Sequence, residues 1–306
     1  MNFVIYNTIT KKFKPNVPIP DNFKSIKLGN YLIAFYSPFY SQKIINGTKY
    51  LVYKNGDKLN ITHAKSGEFK VKKNKIKRKK FKLSIIITAY NTQNYIEKCL
   101  KSIEEQTLNI DYEILLGIDH CHKTLEVVKS LDIKNLRIFW MKENVGTYIT
   151  TNTLLKLTKY DNILRFDSDD YMSKDMFKHL YSNHKSCDIL QFSFKNFGND
   201  DTIGHLAIGC IFYKKWLLEK IGGYNSWRVS SDWDFLKRCN SLKNIVIKKF
   251  RYPLFFRRVH DTSLTLNKKT GMNSKLRKDI DKLSSERIKN GLIKIEPEIS
   301  EYEELN

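Results

Sequence analysis

Cysteine is scarce and scattered. The 306-residue chain has five, Cys99, Cys121, Cys187, Cys210 and Cys239. The number is odd and no CxxC pair occurs, which argues against a disulfide scaffold and for a reducing compartment. Long hydrophobic runs are absent: none approaches the roughly 20 residues a membrane helix needs. Met1 to Phe13 has no basic stretch followed by a long apolar one, so no secretory leader is expected. A soluble protein in the cytoplasm or elsewhere inside the cell is the expectation. There is no Walker A loop and no GxGxxG. With 41% apolar and 28% charged residues, collagen-like and disordered classes are excluded. The length corresponds to about two domains.

Acidic residues are also short, 32 against 54 lysines and arginines, for a net charge of +22. The shortage is local. Residues 1–82 hold 19 basic and 3 acidic residues, residues 83–265 hold 26 and 21, and residues 266–306 hold 9 and 8. An anionic partner is therefore argued for the N-terminal segment alone. That segment, 1–82, reads as a small β-rich domain. Phe3 to Tyr6, Tyr31 to Tyr36 and Tyr50 to Tyr53 are short apolar or aromatic runs, and Asn46-Gly47 and Asn55-Gly56 mark turns. From Lys70 to Lys82 nine of thirteen residues are Lys or Arg. This is a linker or basic edge strand through which an anionic membrane surface could be met. Few aromatics interleave with the lysines, which argues against a groove for single-stranded nucleic acid.

The pattern changes at Leu83. LSIIIT (83–88) is a continuous apolar run of the kind a buried parallel strand shows. Tyr95, Ile96, Cys99, Leu100 and Ile103 follow at helical spacing. EILLGI (113–118), 136–140 and 162–166 read as further strands, with helices after the first of these and over 150–159. Such alternation predicts an α/β domain, 83–265, with a mainly parallel sheet. Ligands of these sheets sit at the carboxyl ends of strands, which singles out residues 88–91, 119–122 and 167–170. Helices are expected at 214–221 and 231–239, and extended chain at 245–258. Residues 266–306 read as a helical, mobile tail ending in five glutamates.

Three constellations could carry chemistry. Asp167-Ser168-Asp169-Asp170 places three carboxylates at a strand end. They repel one another, and a hard divalent cation would relieve that repulsion and offer open positions to phosphate oxygens. The bland reading is a surface turn. Asp232 and Asp234, in Ser231-Asp232-Trp233-Asp234, are two apart on a helix, so at most one faces a shared site. The bland reading is a helix start favoured by the dipole. Arg257-Arg258-Val259-His260 joins forked donors suited to diphosphate to a histidine, a residue type that is more often simply packed. His120-Cys121-His122 lacks the further ligands a zinc site needs.

In order, LSIIITAYN, EILLGID, ENVG with Asn152, ILRFDSDD, EKIGGYN, SDWDFLKR and FRRVHDTSLT resemble family 2 glycosyltransferases of the GT-A fold. The resemblance runs from about Leu83 to Thr265. It implies transfer of a sugar, with inversion, from a nucleotide-sugar, often UDP-linked, to an acceptor hydroxyl. It implies that Thr88, Tyr90 and Asp119 hold the base and that Asp167 approaches the ribose. Asp169 and His260 would hold a divalent metal, Mn²⁺ or Mg²⁺, with Arg258 at the diphosphate. Asp232 would be the catalytic base, with Asp234 as fallback, and Arg238 matches a family arginine. Gly222 and Gly223 are expected to let the acceptor approach, and Tyr224 and Trp227 to form a sugar platform or pack in the core. The expected acceptor is a glycan or glycoconjugate, met by loops 170–173 and 196–204.

Three positions depart from the family pattern: Ser231 replaces a Glu, Thr151 an Arg, and Ile118 the first acid of a pair. The competing readings are a catalytically inactive scaffold of the same fold, a nucleotidyltransferase, which lacks its glycine-rich activating loop here, and a protein that binds an anionic polymer through its basic N-terminal segment.

Overall fold

A computed structural model describes residues 81–198, 201–204, 206–260 and 263–305, together with the backbone of eight strands before residue 74. The chain divides into two units, Met1–Lys79 and Lys80–Asn306. The elements described in the first unit are all strands. Strands β1 (Phe3–Asn7), β2 (Lys12–Lys14), β3 (Lys24–Leu28) and β4 (Tyr31–Phe35) form an antiparallel sheet of order β2-β1-β4-β3. Strands β5 (Tyr40–Ile45), β6 (Thr48–Tyr53), β7 (Lys58–His63) and β8 (Phe69–Lys73) form a meander. The expected turns at Asn46-Gly47 and Asn55-Gly56 lie outside the described residues. Most of the basic run from Lys70 to Lys82 lies outside the described residues.

The second unit is built on β9 (Lys82–Ala89), β10 (Asp111–Ile118), β11 (Leu136–Met141) and β12 (Asn162–Asp167). These four are parallel, in the order β12-β9-β10-β11. Both faces of β9 are covered, which is why its run is continuously apolar. Leu83, Ile85 and Ile87 join the core under α1 (Ile96–Glu104) and α2 (His122–Lys129). Ile86 joins the opposite core, with α3 (Thr147–Leu157). The chain steps from β9 toward β10 and later returns to β9's other side as β12. That reversal opens a crevice at the carboxyl ends of these strands.

Beyond β12 the sheet continues through strands that link it to the cleft. After β13 (Tyr171–Met172) and α4 (Met176–Asn183) come β14 (Ile189–Gly198), β15 (Ile203–Gly204) and β16 (Ile211–Lys214). Helices α5 (Trp216–Ile221) and α6 (Ser231–Asn240) precede β17 (Ile247–Val259). β16 is antiparallel to β12 and β14, while β14 and β17 are parallel, so the sheet is mostly parallel but mixed. β14 and α4 were not anticipated from the sequence. The expected acceptor loop 170–173 instead contains β13, with Met172 buried.

The segment expected as a mobile tail holds a helix, α7 (Lys275–Lys289), and then a strand, β18 (Tyr302–Leu305). β18 pairs antiparallel with β11 at the sheet edge. Glutamates in and just before it meet cations there: Arg137 Nε lies 2.8 Å from Glu304 and Lys142 Nζ 2.9 Å from Glu301. The acidic end is thus docked by charge and by ladder hydrogen bonds. Among the described residues no helix is long and apolar enough to cross a membrane.

Candidate active site

The carboxyl ends of β9, β10 and β12 open into a cleft of about 510 Å³, within the size range of small-molecule sites. The eight residues expected to bind the donor or metal or to act as base all line it: Thr88, Tyr90, Asp119, Asp167, Asp169, Asp232, Arg258 and His260. Three left-handed non-glycine residues adjoin it, Asn91 (φ 55°), His120 (φ 53°) and Ser230 (φ 63°). Such conformations cost of order 1–3 kcal/mol and cluster at functional sites.

Asp119 follows β10 and is buried. Its two oxygens accept the amides of Val145 (2.8 Å) and Gly146 (2.9 Å). Burial raises its carboxyl above the usual range, and those amides pull it part of the way back. Asp119 thereby fixes the ENVG loop against the strand end. Ile118 points into the core and does not reach the cleft. Tyr90, at the mouth, is 52% exposed, a free ring face where a base could stack.

An arginine that sequence reading passed over organises the floor. Arg165 lies in the middle of a buried strand. That is itself the signal, because a charge is buried only when paired. Its guanidinium sits 3.0 Å from Asp167 Oδ1 and donates to Thr147 Oγ1 at 3.3 Å. Thr147 Oγ1 in turn lies 2.6 Å from Thr88 Oγ1. Burial pushes the Asp167 carboxyl upward, Arg165 opposes that, and Asp169 and Asp232 add repulsion. Gly209 makes room for this carboxylate: a Cβ there would come within 2.3 Å of Asp167 Oδ2. Gly209→Ala must displace Asp167, and a shift of about 1 Å costs on the order of 10²-fold in turnover. Steady-state kinetics with a circular-dichroism check on folding would measure this.

Asp169 and His260 converge, with Oδ2 and Nε2 3.1 Å apart. This carboxylate–imidazole pair suits a borderline or hard divalent ion. No group of three or more His, Cys, Asp or Glu residues able to hold a metal exists among the described residues. Asp169 and His260 are the side chains that would hold such an ion, which would supply charge stabilisation to an anionic ligand. Asp170 has another task. It is buried and accepts the Arg258 amide at 2.8 Å, which ties β17 to the acidic turn. Burial, then the charge of Asp169, push its carboxyl well up. The Arg258 guanidinium lies between the rings of Tyr95 and Phe197, 4.3 and 4.4 Å from their centroids. That double cation–π contact fixes its direction.

The two acids of α6 separate. Asp232 faces the cleft, its Oδ1 accepting the Trp233 amide at 2.8 Å. Asp234 turns inward, 2% exposed. It accepts Arg238 Nε (2.7 Å), Asn225 Nδ2 (2.6 Å) and Ser284 Oγ (2.7 Å). With its oxygens so engaged, it cannot serve as the fallback base. Arg238 is likewise buried and spends its other donors on the carbonyls of Ile221 and Gly223, both at 2.6 Å. It is a structural tie between α6 and the preceding loop.

Of the two roles expected for Tyr224, the structure gives it the core one: it is fully buried and stacks on Phe235 at 4.4 Å. Gly222 (φ +83°) and Gly223 do not line the cleft. Added Cβ atoms would strike Ile295 O at 2.0 Å and Asn152 Oδ1 at 2.5 Å, so both serve close packing. Asn152 bonds both backbone groups of Tyr224, and Thr151 is buried against Thr147 O. Ser231 is buried and bonds Trp227 O at 3.3 Å, away from the cleft.

Known proteins resemble parts of this chain. The family model described as Glycosyl transferase family 2 matches residues 84–261. Chondroitin synthase of Pasteurella multocida (strain Pm70) is 38% identical over 95 residues, 30% of this chain and 10% of that protein. Poly(ribitol-phosphate) beta-N-acetylglucosaminyltransferase TarP of Staphylococcus aureus (strain N315) is 31% identical over 110 residues, 34% of this chain and 33% of that one. The chain spans from a tenth to a third of the length of the curated relatives it matches. The crystal structure of S. aureus TarS 1-349 in complex with UDP-GlcNAc matches with a TM-score of 0.53 at 19% identity, covering 60% of each chain. The shared feature there is the GT-A fold. The family match takes in more than half of the 306 residues, and on that ground the chain belongs to glycosyl transferase family 2.

Proposed function

We propose that the chain is a metal-dependent, inverting glycosyltransferase, a hexosyl- or N-acetylhexosaminyltransferase. It moves a sugar from a UDP-sugar to a hydroxyl of a glycan or glycoconjugate. One observation carries the reading: Asp232 enters the cleft from α6 while the Asp169–His260 pair enters it from the ends of β12 and β17. A base and an anion-stabilising centre thus face one space large enough for a nucleotide-sugar.

In this reading the uracil stacks on Tyr90, and Asp119 accepts its N3–H. Asp167, held by Arg165, receives the ribose hydroxyls. Arg258 directs its fork at the diphosphate. A divalent ion, Mn²⁺ or Mg²⁺, bound by Asp169 and His260 would supply charge stabilisation for the departing diphosphate. Asp232 takes the proton of the acceptor hydroxyl. The acceptor oxygen attacks the anomeric carbon from the face opposite the diphosphate. The bond from that carbon to the diphosphate oxygen breaks, its electron pair leaves with the diphosphate, and the configuration inverts.

The inactive-scaffold reading rested on Ser231. Its side chain points into the protein, so that departure takes no acid out of the cleft. The test is calorimetric titration with a panel of UDP- and GDP-sugars, with and without Mn²⁺. We expect metal-dependent binding of a UDP-sugar. In Asp169→Asn the affinity gained from Mn²⁺ should fall by at least about 10²-fold, the upper end of what losing even a supporting group of a metal site costs. A panel that binds nowhere under any metal would sink the reading.

A further inference from the structure

The cleft holds more positive charge than the donor reading uses. Arg165 pairs with Asp167 at 3.0 Å, and His260 meets Asp169 at 3.1 Å. Arg257 and Arg277 stand outside these pairs. Neither has a carboxylate within salt-bridge distance among the described residues. Arg257 acts on Asp167 and Asp170 only at longer range.

Both arginines are fixed by one loop. Arg257 Nη2 donates to Thr265 Oγ1 at 2.9 Å. Arg277 Nε donates to Thr270 O at 2.6 Å, and its Nη1 to Ser230 Oγ at 3.3 Å. Thr265, Thr270 and Arg277 line the cleft. They lie beyond residue 261, where the family match ends. Ser230 precedes α6, whose first turn carries Asp232. Arg277 therefore reaches the cleft beside the turn that presents the base. An acceptor must bring its hydroxyl to that turn. A guanidinium with its direction fixed and no carboxylate partner suits a phosphate or carboxylate group through charge-assisted hydrogen bonds.

We propose that Arg277, supported by Arg257, forms an anion subsite for the acceptor. It would take a phosphate or carboxylate carried by the sugar or polyol that offers the attacking hydroxyl. This deepens the transferase reading above and rests on it.

The test uses the full chain saturated with UDP and Mn²⁺, so that the diphosphate position is filled. It is titrated with glycerol 3-phosphate, glucuronate and glucose. At least one anion should bind about tenfold or more tighter than glucose, the worth of a charge-assisted hydrogen bond. Arg277→Gln should abolish that preference, and Arg277→Lys should keep part of it. The preferred anion separates a phosphate from a carboxylate acceptor. Equal affinity for all three probes overturns the proposal. So does a preference that survives in Arg277→Gln, or an equal loss for anions and glucose, which would leave Arg277 as a brace for Ser230. Should Arg277→Gln fail to fold, the wild-type preference must shrink between about 0.05 and about 0.5 M salt, and a flat response overturns it. Absence of UDP binding in the same cell overturns the donor reading, and the subsite with it.

Discussion

Asp232→Asn is expected to lower kcat by on the order of 10²–10⁴-fold, the usual worth of a positioned general base, with donor affinity within about twofold. The split follows from where Asp232 sits. It belongs to α6, a different element from the strand ends that carry Thr88, Tyr90 and the Asp169–His260 pair the donor is proposed to use. Asparagine keeps the side chain's size and its oxygen acceptor toward the Trp233 amide, a 2.8 Å bond, so the turn should hold its shape. It loses the ability to take a proton. Tyr148 lines the cleft beside Asp232 and is hydrogen-bonded to it. Burial first, and then the charge of Asp232, hold its phenol well above its ordinary value. Parallel measurement of donor binding and single-turnover transfer reads the two effects apart. An Asp232→Asn enzyme with wild-type kcat would remove Asp232 from the reaction.

Asp234→Ala, two residues on, is expected to act on stability. It should cost about 3–5 kcal/mol, the penalty for stripping one partner from a buried ion pair. In a unit of this size that corresponds to a fall in Tm of roughly 6–20 °C. The side chains of Arg238 and Asp234 are 1% and 3% exposed, and the pair closes at 2.7 Å. Without Asp234 the guanidinium stays buried with no counter-charge, and Asn225 and Ser284 each lose an acceptor. Ser284 lies on α7, so the variant should also loosen α7 from α6. Two further contacts cross the same seam: Asp281 accepts Trp233 Nε1 at 2.8 Å and lies 2.6 Å from Lys237 Nζ. Thermal unfolding measures the effect. A Tm within about 2 °C of wild type would mean that the buried pair is not what holds this seam.

The contrast between these neighbouring acids marks how far sequence reading reaches. Helical geometry said that only one of Asp232 and Asp234 could face a shared site. It could not say which, because that depends on Arg238, Asn225 and Ser284, which come from other elements and meet Asp234 only in the folded chain. The parallel strands were legible because burial on both faces forces unbroken apolar runs such as LSIIIT. The strand-end acids were legible because sheet topology puts ligand sites there. Arg165 left a trace, a lone charge inside an apolar strand, which gained meaning only with Asp167 beside it. On local sequence Tyr224 read as a sugar platform or a core residue and Gly223 as an acceptor-site residue, yet their surroundings are set by Phe235 and Asn152, 11 and 71 positions away. β18 was hidden for a different reason. Its glutamates give no strand signal of their own, and the segment is drawn into the sheet by the free edge of β11 and by Arg137 and Lys142.

The central claim is that this cleft receives a nucleotide-sugar with its diphosphate at the Asp169–His260 pair. The most direct measurement is a crystal structure of the chain with UDP and Mn²⁺, collected so that manganese gives an anomalous signal. The expected result is the base against Tyr90, a manganese peak bonded to Asp169, His260 and diphosphate oxygens, and Asp232 facing an open position in the cleft. UDP bound elsewhere, or a metal peak that avoids both side chains, would contradict it.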